Sequence, residues 1–409
     1  MKTIYLRLSI FLTVFLNTHA QAQWADISIS SPAAGNSIFF PSSDTGYVVN
    51  AYFPNGGEIW KTTDGTTWTN QYSISDYLFA VHFFSNEVGW VGGGQIGGGL
   101  IMKTIDGGTT WNIQNNTCEQ IMSLYFISDS LGWAAATDGT QGTYFIYHTS
   151  DGGTTWTTQK TGSDYVRSVF FINETTGWVA GDNGRIFGTT DGGNTWNLLN
   201  TGVVFHFNDI YFATPMIGWA VGTYGNGGCY KTTDGGATWV QQTIPTTEAI
   251  TSVHFISENE GWICGNNGIV LKTNDGGSNW QSEMSNTTNG LNAAYFLNAN
   301  VGYMAGNSGT VIKYTNPVPL KSMKHETRIS IYPNPTTDVF TVNFNNQSKE
   351  DQAMSLEVFD VSGKLILQNY FQPFETTKNI DISALSEGFY VLKIKTENEL
   401  ISHQIIKSK

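Results

Sequence analysis

Positive charge is scarce in this 409-residue chain: 20 Lys and Arg stand against 33 Asp and Glu, a net charge of -13. Nucleic acid and anionic membrane surfaces are held by clustered cations, so neither is expected as a partner. Cysteine is nearly absent. Cys118, Cys229 and Cys264 are too widely separated for a CxxC pair or a zinc set. An odd number leaves at least one thiol unpaired within the chain. Cys229 and Cys264 fall on strand-like stretches, which leaves open buried small hydrophobes or a 229–264 bridge. The apolar run from Leu8 to Leu16, broken by Ser9 and Thr13, is far short of the about 20 residues a membrane span needs. It follows Lys2 and Arg7 and precedes Ala20-Gln21-Ala22, the layout of a secretory leader over 1–22 with the mature chain starting at Gln23. No transmembrane segment is expected in the mature chain. There is no G-x-S-x-G, H-E-x-x-H or P-loop, and neither cofactor nor metal is implied.

What is abundant is glycine, with 45 residues, and aromatic side chains, at 13%. They are distributed periodically. An aromatic strand, a polar turn and Gly-aromatic recur as SIFFPSSDTGYVV from Ser37, AVHFFSNEVGWVG from Ala80 and SLYFISDSLGWAA from Ser123. The pattern continues from Ser168, Asp209, Ser252 and Ala293, giving seven units of roughly 42 residues. A second element, of the form K-T-x-D-G-G-x-T-W, follows in six of them. Its aspartates are Asp64, Asp106, Asp151, Asp191, Asp234 and Asp275. Such an Asp closes a tight hairpin by accepting hydrogen bonds from backbone N–H groups just ahead of it, while the glycines take positive φ. One recurring carboxylate does not make a calcium loop, which needs several staggered oxygen ligands.

The seventh copy of this box is missing after Lys313-Tyr314-Thr315, and Trp24 stands where a box Trp belongs, 44 residues before Trp68. The N-terminal segment therefore supplies the outer strand of the last unit. Each unit accommodates four short strands, and a split repeat suits a closed ring better than a capped solenoid. The expected fold is all-β: a seven-bladed β-propeller over 23–315 closed by an N-terminal strand, a linker over 316–328 and a small C-terminal β-sandwich over 329–409.

The box resembles the Asp box of bacterial neuraminidase repeats. The fuller unit, through G-W-x-x-G to K-T-T-D-G-G-x-T-W, resembles the photosystem II stability and assembly factor family of plants and cyanobacteria. The tail resembles the C-terminal sorting domain of the type IX secretion system, on Tyr332-Pro333-Asn334-Pro335, the D-x-x-G-K hairpin at 360–364, the L-x-x-G-x-Y strand from Leu385 to Tyr390 and the basic end at Lys407 to Lys409. That resemblance implies export through the periplasm to the cell surface or medium, with the type IX secretion machinery as partner of 329–409.

The resemblances do not carry an activity with them. Sialidase chemistry implies three arginines on a substrate carboxylate, and the propeller segment has two, Arg167 and Arg185. The assembly factors are linked to an arginine-rich patch that this chain lacks. Loops between the second and third strands are uneven, and Tyr52, Phe53, Tyr144, Asp182, Arg185 and Tyr224 are candidate ligand-binding residues on that rim. The leading reading is a non-catalytic secreted or surface propeller recognising a protein or glycan. The alternative is a polysaccharide-degrading hydrolase, which needs two facing carboxylates about 5–9.5 Å apart. Candidates are Asp76, Glu119, Asp138, Asp164, Asp182 and Glu248. His82 and His254 share a slot filled elsewhere by Tyr125, Phe170, Tyr211 and Tyr295, which reads as packing and not as a metal pair.

Overall fold

The structure, a computed structural model, describes residues 23–115, 118–139, 142–316, 329–344, 354–360, 364–371, 377–395 and 400–408. The expected leader over 1–22, residues 317–328 of the expected linker and residues 361–363 of the D-x-x-G-K hairpin lie outside them. The chain divides into two compact units, Met1–Val318 and Pro319–Lys409.

The first unit holds seven four-stranded antiparallel sheets among its described residues. Sheets 1 to 6 each run in chain order, over 34–74, 78–115, 120–163, 166–200, 206–242 and 250–283. Sheet 7 takes three strands from 291–315 and its fourth from Gln23–Asp26. There Gln23 pairs with Thr315 and Trp24 with Tyr314. The first strand of each sheet packs against that of the next, and the strand Ala34–Phe39 packs against both Leu78–Phe83 and Leu291–Asn298.

The repeated Gly-aromatic pair explains how neighbouring sheets join. The aromatic that follows the glycine stacks flat on a Phe of the next sheet. Trp90 lies on Phe126 with centroids 3.6 Å apart, Trp133 on Phe171 at 3.5 Å and Tyr303 on Phe40 at 3.7 Å. The glycine leaves room for the Phe of its own sheet: a Cβ at Gly89 would come within 2.4 Å of the Phe83 ring. Indole hydrogens then reach across the seam. Trp90 Nε1 donates to the Gly152 carbonyl at 2.8 Å, and Trp219 Nε1 to that of Gly276 at 3.1 Å. Both acceptors sit in the Asp-box turn of the next sheet, where Gly152 has φ 72°.

Within the box, Asp106 Oδ1 accepts from the Thr110 backbone N–H at 2.8 Å and from Thr104 Oγ1 at 2.8 Å. Asp151, Asp191, Asp234 and Asp275 make the same pattern with Thr155, Thr195, Thr238 and Asn279. Asp64, whose box is one glycine shorter, accepts from Thr66 and Thr67. These bonds hold the box carboxyls below the usual carboxylate range, Asp234 at about 2.

The tail unit has a three-stranded sheet of Ile329–Tyr332, Val339–Phe344 and Thr377–Asp381, and a four-stranded sheet of Leu365–Phe371, Met354–Phe359, Gly388–Lys395 and Leu400–Lys407. Phe340, Val342 and Ile380 from the first meet Leu356, Leu392 and Ile405 from the second in one core. Thr336 N–H donates to the Ile406 carbonyl, and Asn334 Oδ1 accepts from Ile406 N–H at 2.9 Å, so the Pro-Asn-Pro segment clasps the last strand. No helix among the described residues is long and apolar enough to cross a membrane.

Candidate functional site

Seven aromatic rings, one from the first strand of each sheet, form a circuit: Phe39, His82, Tyr125, Phe170, Tyr211, His254 and Tyr295. Successive centroids are 4.8–5.1 Å apart. The expected packing slot is thus real, and Phe39 completes it. His82 Nε2 lies 2.9 Å from the Phe126 carbonyl, so that nitrogen carries the hydrogen. Burial pushes both His82 and His254 down to about 4.

Two residues earlier in the repeat, small side chains alternate with one acid. Ser37, Ser123 and Ser252 each accept a backbone N–H from the next sheet, at 3.1–3.3 Å. Asp209 takes that place in sheet 5. Its Oδ1 accepts from Ser168 Oγ at 2.8 Å and Ile210 N–H at 2.9 Å. Its Oδ2 accepts from Ser252 Oγ at 2.8 Å and Val253 N–H at 3.0 Å. All four lone-pair positions are used, so this carboxylate ties sheets 4, 5 and 6 together. Burial pushes its pKa up, against the pull of those bonds. Sequence reasoning missed Asp209; the signal was an acid in a column of Ser and Ala.

At the end of the unit opposite the boxes, the loops between second and third strands divide in character. Sheets 1 and 2 are aromatic and apolar. Phe53 is 82% exposed and lies 6.4 Å from Tyr77, itself 6.4 Å from Phe79. Tyr52 is half-exposed beside it, and Ile96 stands out from the next loop. Sheets 4 and 5 are charged. Arg167 donates to both oxygens of Asp182, at 2.7 and 3.2 Å. His206 Nδ1 lies 3.1 Å from the same carboxylate, and its ring is 5.6 Å from that of exposed Tyr224. Arg185 pairs with Asp164 at 2.5 Å, and Asn183 donates to the other oxygen at 2.8 Å. Asp164 reaches them from a φ of 85°, in the left-handed region that Asp tolerates better than most side chains.

Of the candidate ligand residues, the structure therefore brings Asp182 and Tyr224 together through His206, sets Arg185 on its own pair, and places Tyr52 and Phe53 on the other side. Tyr144 is corrected. It is buried against Phe187, centroids 5.3 Å apart, and fills the seam between sheets 3 and 4 instead of facing solvent. Its strand alternates inward at Tyr144 and Ile146, and that parity takes the ring into the core. The three cysteines are free and buried, which removes the 229–264 bridge. Burial raises Cys118 to about 11 and Cys264 to about 12. Among the hydrolase candidates, Asp164 is paired with Arg185 and Asp182 with Arg167.

Residues 330–408 match the family described as secretion system C-terminal sorting domain, and residues 199–290 match photosynthesis system II assembly factor YCF48. The chain is similar to YCF48 in its propeller and to sorting domains in its tail. Among solved structures, YCF48 bound to D1 peptide aligns at 17% identity and TM-score 0.59, covering 71% of this chain and 96% of that one. YCF48 from Cyanidioschyzon merolae aligns at 16% and 0.59, covering 71% and 98%. The WD40 β-propeller domain of Doa1 aligns at 11% and 0.54, covering 70% and 95%. Identities this low establish the propeller fold and no more. No curated protein sequence matches the chain. The tail points to secretion or attachment at the outer-membrane surface.

Proposed function

We propose that the chain is a secreted, non-catalytic binding protein: a seven-bladed ring over 23–315, closed by its N-terminal strand, that holds an extended peptide across its loop end. The tail over 329–409 is a small β-sandwich that engages the type IX secretion machinery after passage through the periplasm. The observation that carries the binding reading is a two-sided loop end: Phe53, 82% exposed, heads a row with half-buried Tyr77 and Phe79 on one side, and the ion-paired Arg167, Asp182 and His206 stand on the other. Exposed rings at the centre of a patch with a polar border supply most of the energy in protein recognition. A structural neighbour that carries a peptide, YCF48 with D1 peptide, supports the ligand class without fixing its sequence.

The test is a peptide and glycan array probed with the full-length exported protein and with Phe53→Ala. Peptide binding lost in the variant is the expected result. Sugar release, abolished by one Asp or Glu change, overturns the non-catalytic reading.

A further inference from the structure

Among the described residues, the four-stranded sheet of the tail packs only one face into the core. Leu356, Val358, Leu392 and Ile405 point into the core. Alternation turns Phe359, Val391 and Phe389 to the other side. Register sets Phe359 between Leu365 and Val391 on the flanking strands, with Phe389 opposite Ile406. Leu365 is 45% exposed and Phe389 55%; Phe359, Val391 and Ile406 are half-buried. None of the five belongs to the core cluster. The next row on the same face is polar: Gln368 donates to Glu357 at 3.0 Å, and Lys393 Nζ stands 4.6 Å from the centre of the Phe359 ring.

We propose that this apolar row is the surface by which the outer-membrane secretion machinery grips the tail. The inference rests on the sorting-domain reading and names its site. A sorting signal has to be read whatever precedes it, so its contact surface belongs on the tail alone, and all five residues lie there. The row spans four strands and two register steps, roughly 300 Å² at ordinary strand spacing. A stable dimer needs about 800 Å² per partner. The patch is therefore sized for a transient grip that releases its cargo and not for a second copy of the chain. The partner surface is accordingly apolar.

The experiment compares full-length protein with Leu365→Glu, Phe389→Glu, the control Ser402→Glu at the position paired with Lys393, and a deletion of 329–409, in a bacterium that carries the secretion system. Export to the medium or surface should fall at least tenfold in the two row variants, with periplasmic accumulation, and stay at wild-type level in the control. Protease resistance of the trapped chains checks folding. A benzophenone side chain at 389 in the otherwise unchanged chain should cross-link to an outer-membrane component of the machinery, and one at 402 should not. Normal export of both row variants while the deletion is trapped overturns the row and spares the sorting reading. Normal export of the deletion overturns both. Cross-links from 389 to a second copy or to the propeller also overturn the proposal.

Discussion

Phe39 and Tyr295 meet with tilted rings 4.8 Å apart although 256 positions separate them in sequence, and this contact closes the circuit of seven rings begun by Phe39 and His82. The closure is fastened further out by Trp24. Its indole is buried between Phe296 and Tyr314 and donates to Glu283 Oε2 at 3.0 Å. Glu283, on the last strand of sheet 6, thus serves a seam for which sheet 7 has no box turn. Replacing Trp24 by Ala should cost about 3–5 kcal/mol in urea unfolding. A loss below about 1 kcal/mol would show that the N-terminal strand does not close the ring.

Stability should fall as the medium is acidified through the histidine range. His82 and His254 are held at about 4 in the folded chain against an ordinary 6.5. The unfolded chain therefore binds protons first. Stability is full above about pH 6.5 and is lost as pH drops toward about 4, by at most about 3 kcal/mol per histidine. His82→Phe with His254→Tyr, residues that fill this slot in other sheets, should flatten that part of the profile. Thermal melts of both proteins from pH 7 to 4 check it, and equal slopes would refute it.

Gly89→Ala should destabilise by about 2 kcal/mol or more, because the new methyl meets the Phe83 ring at 2.4 Å and forces it off Trp111 and Tyr47. Denaturant unfolding measures this. Gly97→Ala is the control: nothing lies within 4 Å, and only its φ of 82° resists the change.

Phe53→Ala should leave stability within about 0.5 kcal/mol, since the ring is mostly in solvent, and weaken peptide binding at least tenfold. Calorimetric titration against the best array peptide gives the answer. Arg167→Ala separates the two halves of the surface: it leaves Asp182 with His206 alone and should alter both binding and its salt dependence.

The parts that were legible in the sequence are those the repeat writes several times. Six boxes, seven Gly-aromatic pairs and the offset of Trp24 from Trp68 all encode local geometry that each sheet uses again. The loop end was less legible because its pairs occur once. Arg167 meets Asp182 across 15 residues and Arg185 meets Asp164 across 21, and no repeat announces either distance. Tyr144 shows a second limit. Loop length in that sheet suggested an exposed rim, while strand parity, which decides the side a ring faces, placed it inside.

The pairing of Gln23 with Thr315 has a practical result. Both strand ends lie at the box pole of the first unit, where the third strand of every other sheet enters its turn. The described chain thus enters and leaves the first unit at that pole, and the loops that carry Phe53 and Tyr224 lie at its other end.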